Sequence, residues 1–449
     1  MKIGFGKVDI TPRVGVELCG FGPYLNRHSI GVRDRLWARA AAFGDGTAVA
    51  VLASCDLIGI SLETTREARR LAAERTGLSA EAVMIQCTHT HSGPSTPGTL
   101  IGWGDADIPY GELLPRRIAD ACVKAVESLA EARLAHAAVP CEGIGLNREY
   151  DRDAPPLEEV LKDDWRPAKP ELTDTVCHVL KAEAAADGRL LGFMAYFGCH
   201  PVVCCAESRM IHGDYCGVAM GNLEREHPGA VGLFLQGAQG DVNSCVVHKP
   251  AQESLLALDV IAGRFARSVR AGLLKAGGFE SQEVASVRRE VTFSRKEISR
   301  LDLERLLEEK LAPLRRPGAS DADGDVRMGT VYATGIRRLL QEMDGELPAP
   351  RRHTELHGVR LGKTLLLGAP FEVFQAIKND VIAAAPAGVT PLVMGLVNDC
   401  QGYAPDRATA AKGGYAAWQD AFMFGRLPLA SIHDELVREL KALLGDLTA

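Results

Sequence analysis

The chain has 449 residues, 46% of them apolar and 24% charged, and a net charge of −7. Those values fit one large globular α/β unit or two packed ones and exclude a disordered or fibrous chain. The acidic balance offers no basic face for nucleic acid or an anionic membrane surface, so neither is expected as a partner.

The chain opens Met-Lys-Ile-Gly-Phe-Gly-Lys-Val-Asp-Ile-Thr-Pro, where Lys7 and Asp9 break any apolar run, so no secretory leader is expected. Ala48–Ala53 and Ala82–Ile85 read as buried strands, with a helix at Thr64–Arg75 between them. Arg116–Leu134 reads as a second helix, and the Pro- and charge-rich Asp151–Lys169 as a surface loop. Gly192–Phe197 and Val231–Leu235 read as strands, followed by a helix at Leu256–Leu274. Leu190–Ala206 is the most apolar stretch, but it contains His200 and Pro201 and falls short of the roughly 20 residues of a spanning helix.

Ser299–Arg352 reads as a helical insertion, with helices at Leu301–Leu314 and Gly329–Met343 around the segment Pro317–Gly324. A solvated excursion is expected there, with a flap over the site as the alternative. Glu355–Leu361, Gly362-Lys363 and Thr364–Leu367 form a hairpin, Pro391–Val397 a further strand and Ala430–Leu444 the closing helix. The expected fold is α/β: a mixed β-sheet core flanked by helices, in a single large domain spanning 1–449.

Five of the apolar runs end in chemically suggestive residues: His89 and His91, His200, Asp241 and Asn243, Glu372, and Asn398 to Tyr403. Ligands of open α/β sheets bind at the carboxyl ends of strands, so these clusters are expected to share one site. His89 and His91, two apart on an extended strand, project to one face. There they can share a metal, divide into ligand and proton carrier, or form a satisfied polar pair. Taken alone, His200 reads more often as a hydrogen-bonded core residue than as a ligand, and Tyr403 as a packing residue. Glu372 stands before a helical pattern, where a helix N-terminus would favour its charge. Asp241 either accepts a hydrogen bond that orients a ligand histidine or starts an Asx-turn. The Gly237–Asn243 loop could cradle an anion but lacks Gly-Lys-Ser/Thr, which excludes nucleotide hydrolysis. The twelve cysteines have no paired C-x-x-C spacing and read as reduced thiols of a cytoplasmic protein. Cys87, Cys199 and Cys400 read as small core residues rather than thiolate ligands, and nothing marks a cysteine nucleophile.

The motifs Gly6-Lys7-Val8-Asp9-Ile10-Thr11-Pro12, Thr88-His89-Thr90-His91-Ser92-Gly93-Pro94, Asn147-Arg148, Gly198-Cys199-His200-Pro201, His212-Gly213-Asp214-Tyr215, Gly240-Asp241-Val242-Asn243, Pro370-Phe371-Glu372 and Asn398 through Tyr403, with Tyr415 downstream, occur in the order seen in the neutral ceramidases. The chain therefore resembles the amino-terminal catalytic domain of the neutral/alkaline ceramidase family, zinc-dependent amidases. The resemblance implies one Zn²⁺ held by His89, His200, Glu372 and Tyr403, with His91, Arg148 and Tyr415 lining the reacting centre. It implies that zinc-activated water attacks an acyl carbonyl while Tyr415, with His91 or Arg148, stabilises the oxyanion and His91 protonates the leaving amine. Asn243 replaces the serine that ceramide-cleaving members carry after Gly-Asp-Val, and it can still donate to an oxyanion. The chain ends soon after Ala430–Leu444, where ceramidases proper continue into a β-domain. The expected activity is hydrolysis of an N-acyl amide in a small soluble substrate. The alternatives are a metal-dependent esterase or lactonase, and a non-catalytic metal-binding relative.

Overall fold

A computed structural model describes residues 1–150, 155–278, 283–348 and 353–449. Eight strands build the larger sheet: β1 (Lys2–Asp9), β2 (Trp37–Gly44), β3 (Val49–Cys55), β4 (Val83–Cys87), β5 (Ala130–Pro140), β6 (Val176–Ala184), β7 (Leu190–Phe197) and β8 (Val231–Gln236). Their order is β8-β7-β6-β5-β1-β2-β3-β4, and Gly277–Gly278 adds a short ninth strand beside β5. The sheet is mixed: β3 with β4 and β7 with β8 are parallel, and the other neighbours are antiparallel. A second sheet has the order β9-β10-β11-β12, from β9 (Val284–Thr292), β10 (His353–Leu361), β11 (Thr364–Gly368) and β12 (Thr390–Met394).

The alternation of side chains along each strand explains how the sheets stack. Ala38, Ala40 and Ala42 of β2 face a helical layer, while Ala41 and Phe43 face the second sheet. Val51, Ala53 and Cys55 of β3 alternate with Ala50 and Leu52 in the same way. With both faces buried, these strands read as unbroken apolar runs. The inter-sheet core joins Leu52, Met84, Met194 and Leu235 to Val359, Leu366, Leu392 and Met394. Helices cover the outer faces, giving four layers: Ile108–Glu127 and Ala251–Lys275 lie on the large sheet, and Gln375–Ile382 and Ile432–Thr448 on the small one. Glycine is required where helix Ile108–Glu127 rests on β1. A Cβ at Gly4 or Gly6 would stand 2.2 Å from the carbonyl oxygen of Ala125 or Ala121.

The expected α/β class and the hairpin hold, the latter as β10–β11. Four local readings change. The helix expected to reach Leu134 ends at Glu127, and Ala130–Leu134 opens β5. Its residues favour helix, but pairing with β6 and burial of Ala132 and Leu134 override that weak preference. The strand expected over Pro391–Val397 stops at Met394, because Leu396 and Asn398 take positive φ in a turn. Residues 151–154 of the expected surface loop lie outside the described residues, but Val160 and Trp165 are buried in the core rather than solvated. The insertion is no solvated excursion either. Its helices, Arg300–Arg315 and Gly324–Met343, bury Leu303, Val331 and Ile336 against Phe422 and Met423, while 349–352 lie outside the described residues. A Cβ at Gly335 would meet the Phe422 carbonyl oxygen at 1.8 Å, so that helix lies directly on the segment that carries Tyr415.

Candidate metal centre

The carboxyl ends of β4, β7 and β11 bring His89, His200 and Glu372 to one point. His89 follows β4 in a left-handed conformation, with φ of 72°, and its N–H donates to the Leu57 carbonyl at 2.8 Å. Such a backbone is unfavourable for a non-glycine residue and persists where the surroundings enforce it. His200 follows β7 and its N–H donates to the Val242 carbonyl at 2.9 Å. Glu372 lies on a short strand, Glu372–Val373, that pairs in parallel with Tyr403–Ala404 and sets Glu372 directly beside Tyr403. It therefore sits on a strand ahead of helix Gln375–Ile382, not in the first helical turn.

The tautomers follow from the backbone. His89 Nδ1 lies 2.6 Å from the Ile58 carbonyl oxygen, and His200 Nδ1 lies 2.6 Å from that of Gln239. A carbonyl only accepts, so each Nδ1 carries the proton and each Nε2 presents a lone pair inward. The Nε2 of His200 is 2.7 Å and that of His89 3.3 Å from the same Glu372 oxygen. His91 Nε2 is 3.2 Å from His89 Nε2, and one nitrogen each of His89, His91 and His200 lies within 4.8 Å of the others. Burial holds the His200 imidazole down to about 4 and pushes that of His91 well below its ordinary range, so both are neutral at pH 7. Lone pairs facing a carboxylate repel unless a cation lies between them. This buried donor set of two or three imidazoles and a carboxylate fits a divalent ion of the zinc type.

The remaining expected residues surround this point unequally. Tyr403 is buried, its ring centroid 6.5 Å from that of His200. Arg148 places its guanidinium 4.9 Å from the Tyr403 ring centroid, and its Nη2 is buried without a hydrogen-bond partner. Tyr415 packs edge-on to Tyr403 at 5.6 Å. Asn243 is half-buried on a short strand, Val242–Ser244, one residue beyond the carbonyl that accepts from His200. Asp241 does not anchor a histidine: it accepts from Asn147 Nδ2 at 3.0 Å and the Gln375 N–H at 2.9 Å. The anchors are main-chain carbonyls. Cys87, Cys199 and Cys400 are packed in the apolar core.

Two contributions were not anticipated. The carbonyls of Ile58 and Gln239 carry no side-chain signature and could not have been read from sequence. Gly20 and Phe21 wall the site beside His91: the Phe21 ring meets it edge-on at 5.2 Å, and a Cβ on Gly20, at φ +124°, would stand 2.5 Å from it. The glycines flanking Phe21 were the available signal.

Residues 1–255 match the sequence profile described as neutral/alkaline non-lysosomal ceramidase, N-terminal. Neutral ceramidase from Pseudomonas aeruginosa is 27% identical over 258 residues, covering 56% of this chain and 38% of that protein's length. The crystal structure of neutral ceramidase from Pseudomonas aeruginosa superposes with a TM-score of 0.76 at 21% identity, covering 99% of this chain and 75% of the other. A ceramidase complexed with C2 gives 0.74 at 19% identity, with the same coverage. At these identities the structural likeness speaks for the fold. Among the described residues, no helix is long and apolar enough to cross a membrane.

Proposed function

This chain belongs to the neutral/alkaline non-lysosomal ceramidase family, and we propose that it is a metal-dependent hydrolase of an amide (N-acyl) bond in a small substrate. The observation that carries the reading is the convergence of the His89 and His200 Nε2 lone pairs on one Glu372 carboxylate oxygen, with His91 Nε2 3.2 Å from that of His89. We assign the ion as zinc, held by His89, His200 and Glu372 with Tyr403 beside them. Bound there, it supplies Lewis-acid polarisation and a water acidified to near neutral pH. His91, neutral and against the ligand cluster, takes the proton from the attacking water and returns it to the leaving amine. Arg148 and Tyr415 donate to the oxygen on which negative charge develops, with Asn243 as a further donor from its half-buried strand. Phe21 packs edge-on against His91 and walls that side of the site. The twelve unpaired, buried cysteines support a reducing, cytoplasmic setting.

The test is a metal analysis joined to a substrate panel. Purified protein is expected to carry zinc, to lose activity on chelation and regain it with zinc, and to cleave N-acyl amides of short-chain amines and of sphingoid bases at measurable rates. Zinc-loaded protein inert across that panel, or active only on matched esters, refutes the amidase reading.

A further inference from the structure

His91 differs from the other two histidines of the centre in what holds it. His89 and His200 are each fixed through Nδ1 by a main-chain carbonyl at 2.6 Å. His91 Nδ1 is buried with no hydrogen-bond partner, and its Nε2 faces His89 Nε2 at 3.2 Å. A functional imidazole is ordinarily oriented by a bond at its second nitrogen. The ring of His91 has to be placed by other means.

Arg27 supplies them. Its side chain is buried, and among the described residues no carboxylate pairs with it. Burying a cation without a counter-charge is strongly unfavourable, so the contacts that keep it there are informative. Burial pushes the guanidinium down to about 10, which leaves it charged at pH 7. Its Nη1 and Nη2 donate to the His91 carbonyl at 3.3 and 3.4 Å, and Nη2 donates also to the Ser208 carbonyl at 2.9 Å. Its Cζ lies 4.9 Å from the Phe21 ring centroid, within cation–π range. The same Phe21 ring meets the His91 imidazole edge-on at 5.2 Å. One side chain thus reaches His91 twice, directly at its backbone and through Phe21 at its ring. The Ser208 bond extends the tie to the loop that follows His200.

We propose that Arg27 is the positioning residue of His91: its fork fixes the His91 carbonyl, and its contact with Phe21 holds the ring against the metal centre. The inference rests on the assignment of His91 as the proton carrier of the proposed hydrolysis. Such a ring must keep one place while a proton passes to and from it, because a misplacement of about 1 Å costs roughly a hundredfold in rate. Guanidinium suits the task, since its rigid fork reaches two carbonyls while it covers an aromatic ring. The ammonium of lysine is a single point donor.

The test uses the full chain loaded with zinc and the N-acyl amide that it cleaves fastest. Arg27→Gln keeps one donor but loses the charge and the fork. Its kcat is expected to fall about tenfold or more, with KM within about twofold of the parent and zinc content unchanged. Arg27→Lys keeps the charge and one donor, and should recover part of that loss, to about threefold below the parent. Parental kcat in either folded, zinc-loaded variant overturns the proposal, and so does a loss confined to KM. Crystal structures give a readout that needs no turnover. In both variants the His91 ring is expected to shift from its place beside His89, further in Arg27→Gln, with His89 and His200 unmoved. An unmoved His91 ring in either variant overturns the role of Arg27 even if the parent cleaves no amide, a result that would sink the hydrolase reading separately.

Discussion

His200 and His357 are both buried and both within hydrogen-bonding distance of several polar groups, yet their rings carry the proton on opposite nitrogens. At His200 the neighbour of Nδ1 is a carbonyl, so Nδ1 donates and Nε2 keeps its lone pair for the site. At His357 the neighbours of Nδ1 are Arg69 Nη2 and Asn398 Nδ2, each at 3.2 Å, and both are donors. The Asn398 orientation is set because its Oδ1 accepts the Ile85 N–H at 2.9 Å. His357 Nε2 therefore bears the proton and donates to Ser286 Oγ at 2.8 Å. By distance alone, Ser286, His357 and Asn398 imitate a hydrolase triad. The tautomer denies it, since a ring that donates to a serine cannot take that serine's proton. What the second nitrogen touches decides which histidine does chemistry.

The largest effect that this comparison predicts is at His200. Replacing it with Ala should remove the catalytic metal and lower kcat/KM by about a thousandfold or more, because both the activated water and the polarised carbonyl go with the ion. Elemental analysis and steady-state kinetics on the same preparation check it. Retained stoichiometric metal would show that the inward lone pair of His200 is not a ligand. Next comes Tyr415→Phe, which deletes one oxyanion donor and should lower kcat by about a hundredfold with KM little changed. An unaltered kcat would remove Tyr415 from the reacting centre and leave it a packing partner of Tyr403.

How far such differences could be read in advance depends on where the information lies. The shared position of His89, His200 and Glu372 was legible because each follows an apolar strand-length run, but the ligand roles of His200 and Glu372 needed the family resemblance. The pairing of Glu372 with Tyr403 needed a family resemblance, since nothing local marks a two-residue strand. The tautomers were beyond reach: they are set by the carbonyls of Ile58 and Gln239, which any residue type supplies. The two-sheet stack was also hidden. β1, Lys-Ile-Gly-Phe-Gly-Lys-Val-Asp, reads as a weak strand until Gly4 and Gly6 are seen to admit a helix onto its backbone. The Ala-rich β5 resembled a helix because tertiary pairing, not local preference, holds it extended.

A third, smaller effect separates the two histidines by pH. Burial, and then the Arg69 charge, push the His357 imidazole well below its ordinary range. Its folded pKa lies below the unfolded value of about 6.5, so the unfolded chain binds the extra proton first. The stabilisation is complete above that pH and is lost as the pH falls through it toward the folded value. His357→Gln should lower stability at pH 7.5 by about 1–3 kcal/mol through its lost hydrogen bonds. It should also flatten the decline between pH 7 and pH 5, read from urea midpoints at each pH. A slope equal to the parent's would assign the acid sensitivity to other groups.

The smallest effect bears most directly on the false triad. Ser286 accepts from His357 and donates to the Glu81 carbonyl at 3.1 Å, so its hydroxyl bridges β10 and the turn before β4 and meets no base. Ser286→Ala removes that bridge and should cost about 1 kcal/mol of stability, the net worth of an ordinary hydrogen bond. Its kcat and KM should stay within about twofold of the parent, since a change of that size lies below 0.5 kcal/mol of barrier. Denaturation and amide hydrolysis measured together decide the matter. A fall of a hundredfold or more in kcat with the fold intact would mean that the proton on Nε2 can leave after all. The distinction between the two histidines would then rest on something other than their partners.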